Sequence, residues 1–157
     1  MITMRRADLD APELIAFLGD HLAAMAPTAP PESRHALDLD GLRAPGVRVW
    51  SAHLGAEAAA PLVGTVALAA LAEPGHEELK SMRTDPDHRG RGIAGAMLAH
   101  VLADARERGV VRVSLETGSM DFFAPARRFY AGAGFVPCPP FGTYREDPNS
   151  VFMTREL

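Results

Sequence analysis

The segment that most constrains this chain is Arg89-Gly90-Arg91-Gly92-Ile93-Ala94. Before it lies a strand-like run, Glu78-Leu79-Lys80-Ser81-Met82-Arg83-Thr84, closed by Asp85-Pro86. Directly after it an apolar-periodic helix is predicted over Gly92 to Arg108, with Ala94, Met97, Leu98, Val101, Leu102 and Ala105 on one face. A second strand, Val110 to Thr117, follows the stop at Gly109. Strand, helix and strand in this order imply a right-handed crossover and one parallel pair, hence an α/β domain. The turn also gathers backbone N–H groups at the positive end of a helix, which makes a site for an anion such as phosphate. Gly90 and Gly92 put no side chain in the way of close approach.

Three phosphate ligands compete for that turn. A nucleoside triphosphate wants a longer loop ending in Gly-Lys-Ser or Gly-Lys-Thr, which is absent. A dinucleotide wants Gly-x-Gly-x-x-Gly, and Gly90 to Gly95 fits that spacing. The acidic residue expected roughly 20 positions on has no clean match, since Glu116 lies beyond it. The pyrophosphate of coenzyme A is the third. Here Arg89-x-x-Gly92-x-Ala94 resembles the Arg/Gln-x-x-Gly-x-Gly/Ala signature of the GNAT superfamily of N-acetyltransferases, and Glu78 to Pro86 resembles the strand and turn that precede it. Leu115-Glu116-Thr117-Gly118 and Ala126-x-x-Phe129-Tyr130-x-x-x-Gly134-Phe135 are similar to that superfamily's next strand and helix. The likeness covers roughly Glu78 to the end; the first half is only compatible with it.

Composition sets the bounds. The 157 residues suffice for one domain with a real core and are too few for two, so residues 1–157 are read as one unit. A net charge of −4 argues against a nonspecific nucleic-acid binder, although Arg89-Gly90-Arg91-Gly92 leaves an RNA-contacting module as a rival. The lone Cys138 permits no internal disulfide and no multi-cysteine zinc site, and no metal is expected. No apolar run reaches the roughly 18 residues of a membrane span, and Met1 to Arg6 lacks a signal-peptide core, so a cytoplasmic location is expected. Lys80 is the only lysine, which reads as genomic base-composition bias.

In the first half, Ile2 to Leu9 reads as a strand. A helix from Ala11-Pro12 carries Leu14, Ile15, Leu18 and Leu22 on one stripe. His21 beside that stripe reads as a surface histidine. Ser33 to Leu42 reads as a short helix. Val47 to Leu54 and Leu62 to Leu71 read as an antiparallel hairpin, with a bulge at Gly64. Phe122 to Ala131 reads as a short helix, Phe135-Val136 resumes a strand, and Phe152 to Thr154 is the last. The fold class expected is a GNAT-like mixed sheet, mostly antiparallel with one parallel pair, helices on both faces.

The resemblance implies acetyl transfer from acetyl-CoA, as co-substrate, to a primary amine by direct attack. The acceptor favoured is a small molecule or an amino-acid-like compound, with a peptide N-terminus or a non-catalytic acyl-CoA sensor as alternatives. It implies that the amides of Arg89, Gly90, Arg91, Gly92, Ile93, Ala94 and Gly95 hold the pyrophosphate. It also implies that Met82, Arg83 and Thr84 pair with the pantetheine arm and that the Met82 N–H polarises the thioester carbonyl. Thr117 or Phe122 supplies a further contact to that arm. Tyr130 suits protonation of the leaving thiolate. Glu78 is the first candidate for deprotonating the amine; Glu116 is its rival, or a binder of the substrate cation. His53 and His76 are candidates that nothing places. Tyr144 and Arg145 lie in the loop between the final strands and are taken as walls of the acceptor pocket, Arg145 facing a carboxylate. A homodimer is left open.

Overall fold

A computed structural model describes residues 1–157. Seven strands form one sheet in the order β1-β2-β3-β4-β5-β7-β6. They are β1 Ile2–Arg6, β2 Val47–Leu54, β3 Leu62–Ala70, β4 His76–Thr84, β5 Arg112–Gly118, β6 Val136–Pro137 and β7 Ser150–Glu156. The helices are α1 Pro12–Met25, α2 Leu39–Leu42, α3 Ile93–Glu107 and α4 Ala124–Gly132. Every strand pair is antiparallel except β4 with β5, the pair that α3 joins.

Alternation along the central strands sends side chains to both faces of the sheet. On one face Trp50, Val66, Leu68 and Leu115 pack against Met97, Val101 and Leu102 of α3, with Phe129 and Tyr130 of α4 at the margin. On the other, Val49 and Ala67 meet Leu14 and Leu18 of α1 and Leu42 of α2. Pro12 opens α1 at a position where a missing N–H costs nothing. Gly109, at φ 83°, follows the end of α3.

Several boundaries move. β1 stops at Arg6 rather than Leu9, because Asp8 turns the chain by accepting the Asp10 N–H at 3.0 Å. α3 buries Ile93 where the sequence pattern put Ala94, because the helix starts at that residue. The stretch read as one helix over Ser33 to Leu42 is instead a 3-10 turn, Pro31–Ser33, and the four-residue α2. Its middle is drawn away from helix, since the His35 carbonyl accepts from the Lys80 ammonium across the molecule. The helix read from Phe122 begins as a 3-10 turn, Asp121–Phe123, before α4.

The feature that makes a site is where β4 and β5 part. Their pairing covers only His76, Glu77 and Glu78 with Arg112, Val113 and Ser114. Beyond that β5 stays paired with β7 through Gly118, while β4 stays with β3. β4 bends at Ser81, whose φ of 53° is the only positive value outside glycine, and the β3–β4 register shifts beside it. Ser81 and Met82 have no register partner in either neighbouring strand.

Candidate active site

The gap between the diverging strands opens into a cavity of about 320 Å³. Glu78, Lys80 and Met82 line it from β4, Glu116 and Thr117 from β5, and Tyr130 from α4. α1 and the segment 26–36 close the opposite side. That segment is fastened to the β6–β7 loop, where the Ser33 hydroxyl donates to Asp147 at 2.6 Å and Asn149 donates to Ser33 at 3.3 Å.

β4 runs from this cavity into the glycine turn. Asp85 shapes the bend, accepting the Asp87 N–H at 3.0 Å and meeting His88 at 3.1 Å. Those contacts, the backbone one foremost, hold its carboxyl below the usual range. Gly90 and Gly92 sit at φ 75° and 76°, in the left-handed region that favours glycine. The N–H groups of Arg89, Gly90, Arg91 and Gly92 find no acceptor in the chain, and the helical ladder opens only with the Ala96 N–H on the Gly92 carbonyl at 3.0 Å. The N–H groups of Ile93, Ala94 and Gly95 precede that ladder, as the first donors of any helix do. A run of unpartnered amides at the head of a fifteen-residue helix is an anion cradle.

Within the cavity Glu78 is buried. Its Oε2 accepts the Tyr144 hydroxyl and lies 3.3 Å from the Lys80 ammonium. Lys80 also donates to the Tyr144 hydroxyl at 3.1 Å and to the His35 carbonyl at 2.9 Å. Burial, then the Glu78 charge, pushes the Tyr144 phenol far above its ordinary value. Glu116 rises to about 7, chiefly through burial; the Ser150 hydroxyl and Lys80 oppose this, while Glu78 and Asp147 reinforce it. Burial alone pushes the Tyr130 phenol well up, so it keeps its proton at neutral pH.

Of the residues named from sequence, Glu78, Met82, Glu116, Thr117 and Tyr130 meet at this cavity, and Arg89 to Gly95 form the adjoining turn. Tyr144 reaches Glu78 and Lys80 from its loop. Arg83 turns toward α1, with its guanidinium 5.7 Å from the Phe17 ring, and Thr84 pairs with Gly64. Phe122 is 60% exposed; its neighbour Phe123 lines the cavity instead. Arg145 is exposed and does not line the cavity. His53 and His76 lie elsewhere, with both ring nitrogens of each engaged by the chain.

Two residues correct the reading from sequence. His21, read as a surface side chain, is buried against the cavity, where burial and the Arg83 charge lower its pKa to about 4. Lys80, set aside as a compositional remnant, is the cation at the centre of the polar cluster. The signal for Lys80 was its two-residue spacing from Glu78 on one strand; for His21 it was its place one turn after Leu18. No group of three or more His, Cys, Asp or Glu residues is placed to hold a metal ion. No helix is long and apolar enough to cross a membrane.

Strands that part beside a run of unpartnered amides characterise this fold, and comparison with known proteins gives its class. The acetyltransferase (GNAT) family model matches residues 14–135. A Bacillus subtilis (strain 168) protein described as the uncharacterized N-acetyltransferase YsnE is 47% identical over 150 residues, 96% of each chain. The IAA acetyltransferase of Azospirillum brasilense is 36% identical over 145 residues, 92% of this chain and 86% of that one. The PaiA N-acetyltransferase of Thermoplasma acidophilum, solved in complex with coenzyme A, superposes with a TM-score of 0.71 at 15% identity, covering 100% of this chain and 99% of that one; at that identity it speaks for the fold alone. The chain belongs to the GNAT family of acetyl-CoA-dependent N-acetyltransferases.

Proposed function

We propose that this protein transfers the acetyl group of acetyl-CoA to a primary amine of a small molecule by direct attack, with no covalent enzyme intermediate. One observation carries the reading: β4 and β5 part beyond Glu78 and Ser114, so a cavity lined by Tyr130 and two carboxylates opens on the strand that leads into the unpartnered amides.

Acetyl-CoA supplies an activated acyl group on a good leaving sulfur. The amides from Arg89 to Gly95 hold its pyrophosphate, with the Arg89 and Arg91 charges nearby. The edge of β4 at Met82, left without a strand partner, takes the pantetheine arm as an added strand. The Met82 N–H then faces the thioester oxygen as negative charge develops on it. Thr117 and Phe123 bound the arm on the β5 side. Tyr130 gives its proton to the departing sulfur. Its raised pKa keeps the phenol protonated at neutral pH, so it has a proton to give as the sulfur leaves. A cavity carboxylate, Glu78 or Glu116, takes the proton of the acceptor ammonium.

Calorimetric titration with coenzyme A and a thiol-release assay with acetyl-CoA test this. The acceptor panel holds primary amines, amino acids and peptides, with IAA included because a 36%-identical relative is named for it. Binding of coenzyme A and turnover with at least one amine are expected. Tyr130→Phe should keep binding and lose at least about tenfold in kcat. Absence of binding by both coenzyme A and acetyl-CoA would overturn the reading.

A further inference from the structure

Two carboxylates line the cavity, and the fold treats them differently. Glu78 Oε2 is engaged twice, by the Tyr144 hydroxyl and by Lys80 at 3.3 Å. Lys80 turns its remaining contacts inward as well, to the His35 carbonyl at 2.9 Å and the Tyr144 oxygen at 3.1 Å, so its three donors are all used within the chain. Lys80 thus ties β4, the segment 26–36 and the β6–β7 loop to one another. The chain's own donors therefore occupy that oxygen of Glu78. Glu116 lies one strand across, in the same cavity, and has no ion-pair partner.

We propose that Glu116 receives the acceptor's ammonium and takes its proton, while Lys80 and Tyr144 act as positioning residues that hold Glu78 out of the proton path. This rests on the acetyl-transfer reading above. The groups around Glu116 are Lys80 and Glu78 on β4, the Ser150 hydroxyl on β7, and Asp147 and Tyr144 on the β6–β7 loop. Across the cavity stand His21 of α1, Arg34 and His35 of the segment 26–36, and Tyr130 of α4. Lys80 is already matched by Glu78, and His21 is neutral above about pH 4, which leaves Glu116 as the acid without a fixed cation. The acceptor class that fits is a primary alkylammonium whose carbon body lies against Leu22, Met25 and Ala29.

The step balances. Glu116 takes one proton from the ammonium and later releases it to solvent. The freed nitrogen forms its bond to the acyl carbon as the carbon–sulfur bond breaks. Tyr130 gives its hydroxyl proton to the sulfur and recovers the second proton of the nitrogen. The products are an acetamide, free coenzyme A and one proton.

The test uses coenzyme A-bound protein carrying carbon-13 at its glutamate carboxyls, followed by NMR from pH 4 to 9, with n-butylamine as the cation probe. Glu116 is expected to titrate near pH 7, apart from the other glutamates, and its midpoint to fall by at least half a pH unit with n-butylamine present. Glu116→Gln assigns the resonance. For whichever amine turns over fastest, Glu116→Gln should lower kcat about 100-fold or more and remove the rising limb near pH 7. Glu78→Gln and Tyr144→Phe should lower kcat while keeping that limb. The proposal is overturned if n-butylamine moves Glu78 instead of Glu116, if Glu116 titrates with the ordinary carboxylates, or if the limb survives in Glu116→Gln. Coenzyme A binding by wild-type protein separates these failures from failure of the acetyl-transfer reading, and the carboxyl titration decides the matter where no amine turns over.

Discussion

At the scale of single residues, two glycines show how unlike the reasons for glycine are. Gly92 sits at φ 76° with nothing within 4 Å of where a Cβ would stand, so its constraint is conformational. Gly118 has ordinary φ, but a Cβ there would collide with the Phe123 ring, so its constraint is packing at the end of β5. Gly92→Ala is therefore expected to cost about 1 kcal/mol of stability from left-handed strain alone. Gly118→Ala should cost about 1–3 kcal/mol, since Phe123 must move. Denaturant unfolding of both variants checks the order, and a Gly118→Ala protein as stable as wild type would contradict it. Both glycines stand out in the sequence, Gly92 through the turn and Gly118 at the strand end. The difference between them does not, because the Phe123 ring reaches Gly118 only once the 3-10 turn Asp121–Phe123 has formed.

At the scale of elements, the segment 26–36 is the part of the cavity with the least regular structure of its own. It holds two 3-10 turns, and a few side-chain ties keep it over the site. Ser33 carries two of them, to Asp147 and Asn149, and the Ser33 contact is the first cause holding the Asp147 carboxyl below its usual range. Ser33→Ala should speed amide hydrogen exchange in this segment severalfold while α3 keeps its protection, because local opening draws on these contacts and not on the main core. Uniform exchange behaviour in wild type and variant would show that the ties do not hold the segment. The central elements were legible: α3 from its apolar period and its glycine boundaries, β2 from its alternation, β3 from its apolar run, the β4–β5 parallel pair from the strand–helix–strand order. The segment 26–36 was not, because its course is set by Lys80, Asp147 and Asn149, which lie far along the chain.

At the scale of the whole molecule, two titratable groups, the buried His21 and the half-buried Glu116, oppose each other. Glu116 is raised from 4.5 to about 7, so between those values the folded chain holds a proton that the unfolded chain has lost, and this group makes stability fall as pH rises through that window. His21 is lowered from 6.5 to about 4, so the unfolded chain holds the extra proton there, and this group makes stability rise from about pH 4 to about 6.5. Over the shared window the two slopes cancel in part. His21→Leu should expose the decline of Tm with rising pH, and Glu116→Gln the increase. Thermal unfolding at intervals between pH 4.5 and 7 checks this; profiles of the same slope in both variants would refute it.

The sequence by itself determined the local rules: a turn that only glycines allow, a helix whose apolar face starts just after it, and a strand order that forces one parallel pair. It also named most of the groups that meet at the cavity, because Glu78, Met82, Glu116 and Tyr130 lie in or beside the segments that carry those rules. Tertiary structure alone decided which partners those groups meet. Whether a carboxylate is held or left unpaired depends on which side chains arrive beside it: Lys80 shares a strand with Glu78, but the approach of Tyr144 to Glu78, rather than Glu116, is fixed only when loop, strand and helix pack together.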